Sequence, residues 1–280
     1  MKKIIFFDVD GTLANSRGKV LPSTIEAIQK WREQGNLAYV CTGRSKPEIT
    51  TEILSPGFDG VIGAGGGYIE MNGKVFLHQR MSKELVLRIK EYFEERDIGY
   101  YLESNDGLFG SANVEEKIIE EGMKYFVSMG KTADDIYDFQ WFFDLLNEHS
   151  GMEVNYANVN KIAFINNTVP YSEVYELFGE EASMYHSTVK EFGKESGEIG
   201  IKGLSKQTAI QMVMEELGIA QEDSIGFGDW DNDIPMFETV GYKVAMANAS
   251  DKLKSIADEV TDDLDNDGIY NAMFRNGWIS

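Results

Sequence analysis

The stretch Ile4-Ile5-Phe6-Phe7-Asp8-Val9-Asp10-Gly11-Thr12-Leu13 decides the fold. Apolar residues run without interruption from Ile4 to Phe7 and then stop at Asp-x-Asp-Gly, the pattern of a strand buried on both faces and closed by a turn. Outward from it, Ile25, Ile28 and Trp31 recur at helical spacing before Gly35, a natural helix stop. Leu37 to Cys41 is the next apolar run, followed by Thr42-Gly43-Arg44 and by Pro47, placed to open a helix near its first turn. The rhythm returns at the other end. Ile210, Val213, Met214 and Leu217 predict a helix over 206–217, and Ile225-Gly226-Phe227, Val244-Ala245-Met246 and the run around Val260 read as strands. Strand alternating with helix predicts an α/β chain built on a parallel sheet, with both ends of the chain as halves of one sheet.

The middle differs. Gly63 to Gly67 leads into Tyr68-Ile69-Glu70, an Asn72-Gly73 hairpin signal and Val75-Phe76-Leu77. From Met81 onward come Glu- and aromatic-rich helices with strand-like pieces such as Lys161 to Ile165, and residues 81–190 hold 21 acidic against 9 basic side chains. This reads as an inserted second domain over 81–190, dividing a core of 1–80 and 191–280; a length of 280 residues is where single cores begin to split.

The formal net charge of −21 argues against nucleic acid or an anionic membrane surface as partner, since both are held chiefly through Lys and Arg. One Cys and 3 His exclude an intramolecular disulfide and a Cys/His zinc site, so any catalytic metal should be oxygen-ligated. Asp8 and Asp10 interrupt the N-terminal apolar run far short of the roughly 7–15 residues of a signal core. With no stretch long enough to span a bilayer, the expected location is cytoplasmic.

Asp8 and Asp10, at positions i and i+2 of extended chain, point the same way about 6–7 Å apart beyond the carboxyl end of a strand, where open α/β sheets bind ligands. An Asx-turn closing the strand would account for Asp10-Gly11 alone. Gly228-Asp229-Trp230-Asp231-Asn232-Asp233 follows a second strand, so its acids reach the same sheet edge; helix capping is the simpler account of this cluster taken singly. Two carboxylate clusters on one edge repel each other unless a hard cation such as Mg²⁺ lies between them. Such a site suits phosphoryl chemistry. Thr42 and Gly43 can hold a phosphoryl oxygen through a hydroxyl and backbone N–H groups, and Lys206, after Ser205, can supply positive charge, with Lys202 the runner-up.

With these four motifs in this order, the sequence resembles the haloacid dehalogenase superfamily, specifically its Cof-type phosphatases with a large cap. Asp8-Val9-Asp10-Gly11-Thr12-Leu13 matches the first motif and Thr42-Gly43-Arg44 the second. Gly203-Leu204-Ser205-Lys206 matches the third and Gly228-Asp229 through Asn232-Asp233 the fourth, and the tail from Ala245 to Ala249 and Val260 to Gly268 extends the likeness over essentially the whole chain. The resemblance implies a Rossmann-like, doubly wound core with an inserted α+β cap, and a phosphatase acting on a small phosphorylated metabolite such as a sugar phosphate or phosphorylated cofactor. It implies Asp8 as nucleophile forming an aspartyl-phosphate, Asp10 as the acid and then base, and Thr42, Gly43, Lys206 and Asn232 around the phosphoryl group. It also implies Mg²⁺ held by Asp8, the backbone carbonyl of Asp10 and Asp229, with Asp233 and Asn232 in support. Trp230 and Ala247 stand where the family commonly has small residues and Gly; neither removes a chemical group.

Other features lead elsewhere. Gly63 to Gly67 imitates a dinucleotide loop, but a hairpin follows rather than a helix, so it reads as a turn entering the insert. Asp263-x-Asp265-x-Asp267-Gly268 imitates a calcium loop, yet Phe274 stands where a bidentate Glu is required. Cys41 reads as core packing, and His78, His149 and His186 have no motif around them. A phosphomutase or phosphotransferase on the same fold, and a silent phosphometabolite-binding module, are the competing readings. The insert shows no basic cluster suited to a second phosphate, and both Asp8 and Asp10 are present.

Overall fold

A computed structural model describes residues 2–15, 17–132, 139–187 and 189–280. In chain order the first elements are β1 (Ile4–Phe7), α1 (Pro22–Glu33), β2 (Leu37–Cys41), β3 (Gly60–Gly63), β4 (Tyr68–Met71) and β5 (Lys74–His78). Then come α2 (Lys83–Glu95), β6 (Gly99–Ser104), β7 (Gly107–Gly110), α3 (Val114–Ser128), α4 (Gln140–Glu148), β8 (Val159–Ile165), α5 (Tyr171–Phe178), β9 (Ala182–His186) and β10 (Gly197–Ile201). The last are α6 (Lys206–Leu217), β11 (Ser224–Gly228), α7 (Ile234–Phe237), β12 (Tyr242–Ala245), α8 (Asp251–Lys254), β13 (Glu259–Val260) and α9 (Gly268–Arg275).

The chain divides into two compact units. The first comprises Met1–Arg44, Ile49–His78 and Leu204–Ser280. Its sheet has the order β13-β12-β11-β1-β2-β3-β4-β5, parallel from β13 to β3 and antiparallel through β4 and β5. The uninterrupted Ile4–Phe7 run has a direct cause in this arrangement, because successive side chains leave a strand on opposite faces. Ile5 and Phe7 pack against Ala27, Ile28 and Trp31 of α1 and Ile269 and Met273 of α9. Ile4 and Phe6 pack against Ile210 and Val213 of α6 and Met236 and Phe237 of α7. Cys41 belongs to this second cluster, and burial pushes its thiol up to about 12, so it packs rather than reacts. β1 lies centrally between β2 and β11, and the chain leaves it toward β2 first and reaches β11 only after the insert. That places the loops after β1, β2 and β11 side by side at the carboxyl ends of neighbouring strands, at a topological switch point.

The second unit comprises Ser45–Glu48 and Gln79–Gly203. Its antiparallel sheet has the order β7-β6-β8-β10-β9. Leu102, Ile162, Phe164 and Ile199 pack on α2 and α5 from one face. From the other, Tyr101, Ala163 and Ile165 pack on Ile118 of α3 and Phe142, Phe143 and Leu146 of α4. Sequence reading closes the insert at residue 190, whereas the compact unit runs to Gly203, because β10 is hydrogen-bonded between β8 and β9.

The helix expected from Pro47 is a single 3-10 turn over Lys46–Glu48. Glu48 Oε2 accepts from both the N–H and the hydroxyl of Ser45, closing a local turn in place of a helical ladder. Among the described residues no helix is long and apolar enough to cross a membrane.

Candidate active site

Each acidic residue of the site follows a buried strand of the first unit. The Asp8 N–H continues the ladder between β1 and β11 by donating to the Phe227 carbonyl at 3.0 Å, and Asp8 is 5% exposed. Gly11 closes the turn at φ 79°, and a Cβ there would lie 2.3 Å from Asp229 Oδ2, so the backbone passes the carboxylate at a distance only glycine permits. Beyond β11, Asp229 is half enclosed by donors: the Thr12 hydroxyl donates to Oδ1 at 3.2 Å and the Asn248 amide to Oδ2 at 3.3 Å. Asp233 ends a 3-10 turn over Asp231–Asp233; its Oδ2 accepts from the Asp229 and Trp230 N–H groups at 3.0 and 3.3 Å.

Lys206 joins these loops. Its Nζ donates to Asp8 Oδ1 at 2.5 Å and to Asp233 Oδ1 at 2.6 Å, with all three side chains buried. Its placement follows from local capping: the Ser205 side chain accepts from the Thr208 N–H while the Thr208 hydroxyl oxygen accepts from the Ser205 N–H, so α6 begins at Lys206. Lys202, the alternative, bonds the Glu180 carbonyl in the second unit instead.

Asp8, Asp229 and Asp233 each offer an oxygen within 4.8 Å of the others, the one such group among the described residues. Lys206 brings one positive charge to these three carboxylates. Burial, and then the charge of Asp233, hold the Asp8 carboxyl well above the usual range and push Asp229 up to about 7. Burial opposes the charge on Lys206, but Asp233 and Asp8 outweigh it and keep the ammonium protonated. Excess negative charge on three hard oxygen donors, without sulfur or imidazole, fits a divalent cation of the Mg²⁺ type.

The remaining expected residues fall around this cluster unequally. The Asp10 carboxylate is not in the metal-type group; it lies on the Arg44 guanidinium. Thr42 and Gly43 lie past β2, but no α-helix begins there to supply an N-terminus. Instead the buried Thr42 hydroxyl oxygen accepts the Arg44 N–H at 3.1 Å. Asn232 is exposed on the Asp231–Asp233 turn, and among the described residues no hydrogen bond ties it to the carboxylates. The calcium-like Asp263 to Asp267 segment forms a 3-10 turn capped by Asp263 and contributes no metal-type group among the described residues.

Thr12, Asn248 and the glycine run are contributions that sequence reading did not assign. Thr12 lies in the first motif and Asn248 in the tail from Ala245 to Ala249, where local pattern assigns neither a partner. The Ala64 N–H donates to the Arg44 carbonyl at 2.7 Å and the Gly65 N–H to the Thr42 carbonyl at 3.1 Å. A Cβ on Gly66, at φ 110°, would lie 2.4 Å from the Ser205 carbonyl oxygen. Rather than only entering the insert, the run braces both the Thr42–Arg44 loop and the start of α6.

The profile of the haloacid dehalogenase-like hydrolases matches residues 5–273. The 5-amino-6-(5-phospho-D-ribitylamino)uracil phosphatase YwtE of Bacillus subtilis is 25% identical over 283 residues, covering 95% of each chain. The crystal structure of the subclass IIB sugar phosphatase BT4131 superposes with a TM-score of 0.71 at 23% identity, covering 99% of this chain and 100% of that one. The chloroplastic endoribonuclease YBEY of Arabidopsis thaliana is 24% identical over 287 residues, and there the chain spans 46% of the relative's length. A largely parallel sheet whose central strand is followed by Asp8, a buried lysine tying that aspartate to the loop after β11, and a family profile running nearly end to end converge: this chain belongs to the haloacid dehalogenase-like hydrolases, as a phosphatase of the Cof type.

Proposed function

We propose that the protein is a Mg²⁺-dependent phosphatase that hydrolyses a small organic phosphate monoester, a sugar phosphate or phosphorylated cofactor, through an aspartyl-phosphate on Asp8. The observation that carries this reading is the buried contact of Lys206 Nζ with both Asp8 and Asp233, at 2.5 and 2.6 Å, inside a three-carboxylate group. An ionised carboxylate needs no activating base, and the mixed anhydride it forms with phosphate is readily hydrolysed.

In the first half-reaction an Asp8 oxygen forms a bond to phosphorus, the bond from phosphorus to the substrate oxygen breaks, and that oxygen takes a proton from Asp10. In the second, water attacks phosphorus and gives a proton to Asp10, the bond from phosphorus to Asp8 breaks, and inorganic phosphate leaves with Asp8 and Asp10 restored. Lys206 and the Thr42 hydroxyl would neutralise and orient the phosphoryl oxygens, and Lys206 lets Asp8 approach an anionic substrate. Asp8 and Asp229, with Asp233 behind them, would hold Mg²⁺. Bound there, the ion supplies charge neutralisation at the phosphoryl oxygens. Thr12 and Asn248 orient Asp229, and Asp233 holds both Lys206 and the 229–230 backbone. YwtE and BT4131 act on phosphorylated small molecules, which supports this substrate class.

The test is phosphate release from a panel of sugar phosphates, nucleotides and phosphorylated cofactors, with and without Mg²⁺, for the wild type and Asp8→Asn. Release that requires both Mg²⁺ and Asp8 is expected. Release that persists in Asp8→Asn, or silence across the panel in a folded protein with Mg²⁺, would end this reading.

A further inference from the structure

The Asp10 side chain is 62% exposed, yet it is not free to rotate. Arg44 Nε donates to its Oδ2 at 3.0 Å and Nη2 to its Oδ1 at 2.6 Å, so the planar guanidinium grips both oxygens at once. The arginine is itself anchored, with a side chain only 10% exposed. Its N–H donates to the Thr42 hydroxyl oxygen at 3.1 Å and its carbonyl accepts from the Ala64 N–H at 2.7 Å. Among the described residues no other donor bonds the Asp10 carboxylate, and its backbone belongs to the turn that Gly11 closes at φ 79°.

We propose that Arg44 is the positioning residue for Asp10: its fork sets the plane of the carboxylate that must first face the leaving oxygen and later the attacking water. This deepens the proposed phosphatase mechanism and rests on it. An exposed aspartate alone samples several staggered rotamers and turns about its terminal torsion, whereas a paired fork fixes both. Lysine, a point charge with rotatable donors, keeps the attraction but cannot fix the plane. Arg44 acts through Asp10, so its removal should matter in proportion to how much the leaving group needs a proton.

The experiment compares p-nitrophenyl phosphate, whose leaving group departs without a proton, with an alkyl phosphate hydrolysed by the wild type, in Arg44→Met, Arg44→Lys, Asp10→Asn and the Asp10→Asn/Arg44→Met double variant. For Arg44→Met we expect kcat/KM, which reports the first half-reaction alone, to fall about 10²-fold on the alkyl phosphate, the scale of general acid catalysis, and about tenfold less on the aryl phosphate. Arg44→Lys should show the same split, and the double variant should be no slower than Asp10→Asn. Equal losses on both substrates, full rescue by lysine, additive losses in the double variant, or faster alkyl turnover in Arg44→Met would each overturn the proposal. Thermal melts show that the variants compared are folded. Loss of both activities in Asp8→Asn tests the underlying mechanism separately: its failure appears there, whereas failure of the Arg44 assignment appears only in the substrate ratio.

Discussion

Among the described residues two lysines are buried, one in each unit, and each lies between two carboxylates. Lys206 contacts Asp8 and Asp233 at 2.5 and 2.6 Å; Lys161 contacts Glu103 and Glu198 at 3.0 and 3.2 Å. They differ in what holds the partners together. In the second unit Glu103 stands directly across from Lys161 on β6 and β8, and Glu198 of β10 pairs with Ala163, two positions along β8. That triad is a row of cross-strand neighbours on one sheet face. Lys206, by contrast, starts a helix and reaches residues 198 and 27 positions away, on the loops that follow β1 and β11. Burial is therefore common to both lysines. What sets Lys206 apart is charge gathered from separate loops at the end of a sheet, where strand pairing does not require it.

The comparison is broken most sharply by removing each ammonium. Lys206→Met should lower kcat by about 10³-fold or more, the scale of losing a preorganised charge in a buried site. Lys161→Met should instead lower the unfolding free energy by about 3–5 kcal/mol, because it strands a buried carboxylate. Steady-state kinetics and urea unfolding of both variants measure this. An undiminished melt with lost kcat in Lys161→Met would place the second triad in the chemistry and erase the distinction.

A smaller effect sharpens the account of excess charge at the first site. Burial and then Asp233 push the Asp229 carboxyl up to about 7, while an unfolded aspartate titrates near ~3.9. Between these values the folded, metal-free protein keeps a proton on Asp229 that the unfolded chain has released, so this group's contribution to stability is fully present below about pH 4 and is lost as pH rises through about 7. Melting curves in chelator should show this contribution as a falling midpoint across the window, and saturating Mg²⁺ should flatten it. A midpoint that climbs over the window in chelator would contradict the charge excess.

The smallest expected differences lie in the glycine run behind Lys206. Gly66→Ala would press a Cβ to 2.4 Å from the Ser205 carbonyl. It should cost about 1–3 kcal/mol and lower kcat by displacing the start of α6. Gly65→Ala meets nothing within 4 Å and carries only the strain of φ 61°, about 1 kcal/mol. Comparable kcat values for the two variants would show that the run is a simple turn and not a brace.

Legibility in the sequence followed the same division. The Ile4–Phe7 run, the helix over Lys206–Leu217 and the acids after β1 and β11 were readable because each is a local pattern: an apolar run, a helical period, an acid-rich turn. Those patterns by themselves determined the α/β class, the sheet edge that carries the acids, and Lys206 as a candidate cation. The end of the insert was not readable, because β10 joins its sheet through pairing with β8 and β9 rather than through any change in composition. Nor were the bonds of Arg44 to Asp10, Thr12 to Asp229 and Asn248 to Asp229, which join residues 34, 217 and 19 positions apart. Only the tertiary structure decided those, and it set Lys206 rather than Lys202 against Asp8. A side chain's partners across space depend on which loops the sheet order brings side by side, and strand order is a property of the packed chain that no local spacing encodes.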